Sequence, residues 1–191
     1  MTSAYGSYLA GFEPKSGYIY LVEERRPKLS YELFDQIMTA GYSGLVVTRD
    51  FPKKLLTENE LGTCKVLWLT NLIGEGRINP TAIGILMGQI RTFIENQQKS
   101  VIIIDGFEYL ASTNTYDRML QFMNQLRDIV VTNDCILFVP LDPRTLNPRE
   151  LAMLERSMEP IMPKSEADQG FDNMLNPQDE GVLRLLDVHP R

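Results

Sequence analysis

Cysteine, histidine and tryptophan are almost missing from this chain, with two, one and one residues in 191. Cys64 and Cys135 form no CxxC pair and match no zinc-ligand spacing, so the expectation is two free thiols in a reducing compartment. The one histidine, His189, stands near the C-terminus, and the serines and threonines at strand ends, such as Thr48 and Thr70, have no histidine to activate them. Long apolar runs are lacking too. The longest, Val101 to Ile104 and Ile136 to Val139, fall far short of the roughly 20 residues that span a bilayer. No basic segment followed by an apolar stretch marks a secretory signal, and a cytoplasmic protein with no membrane insertion is expected. Basic charge is short as well: 19 Lys and Arg stand against 25 Asp and Glu, a formal net charge of −6. That balance argues against non-specific nucleic-acid binding, which needs a basic face.

What is present is an ordinary globular composition, 43% apolar and 23% charged, enough for one domain with a buried core. Residues 1–16 are small and polar with scattered aromatics, and are read as an N-terminal arm. Five strands are expected: Tyr18 to Val22, Leu45 to Thr48, Val66 to Thr70, Val101 to Asp105 and Ile136 to Pro140. The spacing of Leu29, Leu33, Phe34, Ile37 and Met38 predicts a helix over 29–40 that ends at Gly41. A second helix is expected with Asn79 as N-cap and Pro80 at its first position, burying Ile83, Leu86, Met87, Ile90, Phe93 and Ile94. A third runs over 115–131 with Asn114 as N-cap, and a short fourth starts at Asn147 and Pro148. Residues 49–65 show little periodicity and are read as a loop. Strands alternating with helices, and central strands with no polar alternation, predict an α/β fold: a three-layer sandwich around a mainly parallel five-stranded sheet over 17–162. Numbered along the chain, the strands are expected in the ATPase order 5-1-4-3-2. Residues 163–191 form an acidic tail with six acids and three bases.

Ligands of such sheets sit at the carboxyl ends of the strands. Those ends carry Glu23 and Glu24, then Arg49 and Asp50, then Asp105 with Glu108, then Asp142 and Arg144. The segment VIIID has the form of a Walker B strand, whose acid helps to hold magnesium in an ATPase. The slot after the first strand decides against that chemistry. A P-loop needs GxxxxGK[ST], so that backbone N–H groups can wrap the phosphates, whereas this slot reads VEERRPKLSYEL. It has no glycine, a proline where a donor is wanted, and two carboxylates. One carboxylate about 4 Å from a phosphate charge costs on the order of 4 kcal/mol at an effective dielectric of 20. Catalytic residues, a bound metal and cofactors are therefore not expected. Two alternatives stay open: magnesium held by Glu23, Glu24, Asp105 and Asp142 in an enzyme, or a phosphate or carboxylate gripped by Arg49 and Arg144 in a nucleotide or anion sensor.

The runs YIYLVEE, GYSGLVVTRDFP, VLWLT, SVIIIDGFEYL and ILFVPLDP, with the helix ELAMLERS, resemble the archaeal family known as domain of unknown function 835, over about residues 17–162. The resemblance implies an archaeal source and a place near signal transduction. It supplies no catalytic residue. The strand arrangement also resembles the RecA/KaiC group of ATPases, with Asp105 at their Walker B acid. Where the KaiC-like branch has a glutamate pair after the second strand, this chain has Arg49 and Asp50. The implied function is a non-catalytic interaction or signalling module whose partner is a protein, such as a RecA/KaiC-like ATPase, a sensory protein or a second copy of the chain. The tail adds a partner-binding candidate in GVLRLLDV, where Val182, Leu183, Leu185, Leu186 and Val188 stand close together. That segment is expected to dock either on a partner or back onto its own domain.

Overall fold

The computed structural model describes residues 12–59 and 61–162. The elements along the chain are β1 (Ile19–Glu23), α1 (Leu29–Thr39), β2 (Ser43–Thr48), α2 (Pro52–Glu58), β3 (Lys65–Leu69), β4 (Arg77–Ile78) and α3 (Ile83–Glu95). They continue with β5 (Ser100–Asp105), α4 (Phe107–Thr113), α5 (Tyr116–Thr132), β6 (Cys135–Leu141), a 3₁₀ turn (Pro143–Thr145), α6 (Pro148–Glu155) and β7 (Glu159–Ile161).

The strands form one sheet in the order β4-β3-β2-β5-β6-β1-β7, and every pairing is parallel. Each central strand sends alternate side chains to opposite faces, and both faces are apolar. Leu21, Leu45, Val47, Ile102, Ile104, Leu137 and Val139 meet α3, α4 and α5 on one side. Val22, Val46, Val101, Ile103, Ile136 and Phe138 meet α1 and Leu55 of α2 on the other. Burial on both faces is why these strands read as unbroken apolar runs. The three-layer α/β sandwich expected from the sequence is present.

The strand count and order need correction. The sheet has seven strands, not five, and the five read from the sequence lie in the order 1-5-4-2-3 rather than 5-1-4-3-2. The cause is β7, a three-residue strand that pairs with Tyr20 to Val22. When β1, β2, β5, β6 and β7 are numbered one to five, their order is 5-1-4-3-2, and β3 and β4 extend the sheet beyond β2. The strand Val66 to Thr70, third along the chain, is an outer addition to that frame. Val101 to Asp105 keeps its expected central place.

Helix boundaries shift for local reasons. The helix assigned to Asn79 and Pro80 starts later, at Ile83, because the Asn79 side chain accepts from the N–H and hydroxyl of Thr81 and closes a turn instead. Thr115, not Asn114, caps α5, and its hydroxyl accepts from the Arg118 N–H. Asn114 belongs to the end of α4, where its side-chain amide donates to the Leu110 and Pro80 carbonyls. The start at Asn147 holds, with a reciprocal capping box between Asn147 and Glu150.

Candidate functional site

The carboxyl ends of β1, β2, β5 and β6 open onto the same end of the sheet, and α1 begins there. After Glu23 closes β1, the chain turns through Glu24 to Lys28 and enters α1. The turn folds Glu24 back over the start of the helix. Its carboxylate accepts hydrogen bonds from the backbone N–H groups of Lys28 (3.0 Å), Leu29 (2.9 Å) and Ser30 (3.0 Å), and from the Ser30 hydroxyl. The first amides of a helix lack acceptors within the helix and attract negative charge. Here an internal carboxylate answers them. Burial pushes the Glu24 carboxyl above the usual range, and the hydrogen bonds from Ser30, Leu29 and Lys28 oppose that shift.

Within the first turn of α1, the buried Tyr31 donates its hydroxyl to Asp105 Oδ2 at 2.8 Å. Burial comes first in pushing the Asp105 carboxyl up to about 6, and the negative charges of Asp50, Glu108 and Glu24 add to it. Burial and the adjoining Asp105 also hold the Tyr31 phenol above its ordinary range. The acid at the Walker B position is thus capped by a phenol. After it, Gly106 turns the chain into α4 at φ 148°, where an added Cβ would stand 3.0 Å from Leu69 Cδ1.

The remaining candidates are engaged by neighbours. Glu108 Oε1 accepts the Asp142 N–H at 3.0 Å, tying the start of α4 to the end of β6. Asp142 holds Arg144 through two hydrogen bonds, at 2.8 and 2.5 Å, and the guanidinium keeps the Asp142 carboxyl down at about 2. Arg49 donates to the Leu69 carbonyl at 3.2 Å and lies 4.7 Å over the Tyr109 ring. The structure therefore links Glu108, Asp142 and Arg144 in one chain of contacts and sets Arg49 apart, beside β3.

Glu23, Glu24, Asp105 and Asp142 do not make a magnesium site. Among the described residues, no group of three or more His, Cys, Asp or Glu side chains is placed to hold a metal ion. Glu24 is turned to the helix amides and Asp142 to Arg144. One carboxylate oxygen of Glu23 is buried without a hydrogen-bond partner, and burial, followed by the charge of Glu155, raises its pKa. The α1 amides that would receive a nucleotide phosphate already hold Glu24.

Sequence reasoning missed Ser30 and Tyr31. Their only signal was a buried serine and tyrosine among the first residues of an amphipathic helix, a place that core packing explains equally well. It also missed an apolar group beyond β2 and β3. Phe51 meets Trp68 edge-on with ring centroids 5.4 Å apart, Arg77 lies 5.6 Å over the Trp68 ring, and Ile73 is 97% exposed at the tip of the following loop. Val182, Leu183, Leu185 and Leu186 lie outside the described residues, as do residues 1–11 of the N-terminal arm. Among the described residues, no helix is long and apolar enough to cross a membrane.

Solved structures share this architecture, among them two archaeal proteins. One is a protein of Pyrococcus horikoshii OT3, with a TM-score of 0.58, 11% identity, and coverage of 84% of this chain and 87% of that one. The other is the flagellar accessory protein FlaH of Methanocaldococcus jannaschii, with a TM-score of 0.52, 19% identity, and coverage of 85% and 77%. At such identities the likeness concerns the fold, which is RecA-like. No curated protein matches the chain. The family model described as "Protein of unknown function (DUF835)" matches residues 23–158. That span runs from the acid closing β1 to the start of β7 and takes in every strand-end residue discussed above; the chain belongs to the DUF835 family.

Proposed function

We propose that this chain is a non-catalytic interaction module built on an ATPase fold whose phosphate position is filled by its own Glu24. The observation that carries this reading is the set of hydrogen bonds from the Lys28, Leu29 and Ser30 amides to the Glu24 carboxylate. Those amides are the donors a phosphate would need, and a second negative charge there meets both repulsion and a lack of free N–H groups. The phenol cap on Asp105 supports the same reading, since the Tyr31 hydroxyl already occupies one oxygen of that carboxylate. The pairing of Arg144 with Asp142 speaks against an anion sensor. The exposed Phe51, Leu72 and Ile73 support a surface that meets protein. The proposal includes a cytoplasmic, archaeal protein near signal transduction, with residues 17–162 as the folded unit and a protein as its partner.

The test is nucleotide binding and turnover. A fluorescent ATP analogue with magnesium is expected to show no saturable binding up to about 1 mM, the weak limit of ordinary affinities. ATP and GTP turnover should stay at background. Glu24→Ala should free the amides, so that sulfate raises the thermal midpoint of this variant and leaves the parent unmoved. Turnover in the parent that Asp105→Ala abolishes would overturn the proposal.

A further inference from the structure

Two adjoining depressions lie at the other end of the sheet. One cleft of about 510 Å³ is walled by the start of β1, by Arg127 and Val131 of α5, and by the chain from Glu155 through Pro160. A second, of about 340 Å³, continues from Arg156 and Ser157 to Met153, Leu120 and Asn124. On α5 the residues facing these clefts are Leu120, Asn124, Arg127 and Val131, which stand at helical spacing on one stripe. Together the clefts form a groove between α5 and α6 that reaches the amino end of β7. Its lining is mixed, and its exposed apolar side chains are Val131, at 59%, Met153 and Tyr18.

We infer that this groove is the docking site of the chain's own segment Val182 to Val188. Four observations fit that occupant. The described chain ends at Met162, just after β7, whose amino end borders the groove. The 19 residues between Met162 and Val182 can reach up to about 60 Å, more than twice the roughly 25 Å length of α5. The segment GVLRLLDV offers five aliphatic side chains to the exposed Tyr18, Val131 and Met153. Its charges match as well: Asp179, Glu180 and Asp187 have Arg127 and Arg156 to meet, and Arg184 has Glu155 and Asp128. The alternative of an added strand is disfavoured, because β7 is three residues long and Pro160 removes one of its donors. The segment therefore docks by its side chains. Another protein reaches the groove only when the segment leaves it. This inference is independent of the nucleotide question.

The test uses the full chain with a spin label at His189→Cys in a Cys64→Ser background and methyl-labelled methionines. Docking is expected to broaden the Met153 and Met158 signals at least fivefold and to leave Met38, on the far side of the sheet, unchanged. Adding Leu185→Asp and Leu186→Asp should restore both signals. A mixture of spin-labelled chains with separately methyl-labelled chains should show no broadening. Broadening in the mixture would mean exchange between copies and would overturn docking within one chain, as would sharp Met153 and Met158 signals in the labelled chain itself.

Discussion

Asp105 and Glu24 are both acids at strand ends, yet their surroundings give them different consequences. Glu24 has four donors for its charge, whereas Asp105 has one phenol and three acids nearby. A folded-state pKa of about 6, against about 3.9 in the unfolded chain, means the folded protein binds more protons between those values. Stability from this group is therefore full below about pH 4 and is lost as pH rises through 6. The loss is up to about 3 kcal/mol, at 1.36 kcal/mol per pKa unit. Asp105→Asn keeps an acceptor for Tyr31 and removes the charge. It should raise urea-unfolding stability at pH 7.5 by about 1–3 kcal/mol and flatten the pH dependence between 4 and 6. Of this site the sequence displayed the acids, because ionised residue types at strand ends are visible in one dimension. It did not display Tyr31 or Ser30 as partners, because Tyr31 meets Asp105 across 74 positions of chain.

Elements with a long apolar period were legible, and short ones were not. Helix α1 and the buried stripe of α3 follow directly from spacing. Helix α2 buries only Leu55, and β7 is three residues with a proline, so neither has a period to read. Contacts between elements also fix residues that local rules leave free. Gly44 at the start of β2 is such a case: a Cβ there would lie 2.3 Å from Met38 Sδ, 2.8 Å from Phe34 Cζ and 3.1 Å from Cys64 Cβ. Methionine can swing away, but the buried Phe34 ring has less freedom. Gly44→Ala should therefore cost about 1–3 kcal/mol by overpacking α1 against β2. Denaturant unfolding measures this, and an unchanged midpoint would show that the α1–β2 contact relaxes freely.

At the scale of the whole molecule the two ends of the sheet differ. The carboxyl end holds Glu24 on the α1 amides, and the amino end holds the groove between α5 and α6. The outer strands of the sheet, β4 and β7, are two and three residues long, which limits pairing with another chain edge to edge. Among the described residues, Ile73 of the loop after β3 is the most exposed large apolar side chain, at 97%. Because Leu72 and Ile73 project into water, Leu72→Asp with Ile73→Asp should change folding stability by less than about 0.5 kcal/mol. A larger loss in thermal or urea unfolding would assign those residues to the fold rather than to a binding surface.

The sequence by itself determined the fold class and the absence of a P-loop. Burial on both faces of a parallel sheet forces long apolar runs, and a phosphate loop needs glycines that are either in the slot or not. It determined the charged character of the strand ends for the same reason, since residue type is read directly. Only the tertiary structure decided that β7 joins β1, that Glu24 turns back onto the α1 amides, and that Tyr31 caps Asp105. Each of these depends on where a turn or a short element sends a side chain in three dimensions. The energies involved are those of single hydrogen bonds, about 1 kcal/mol net, too small and too local to leave a pattern in the sequence.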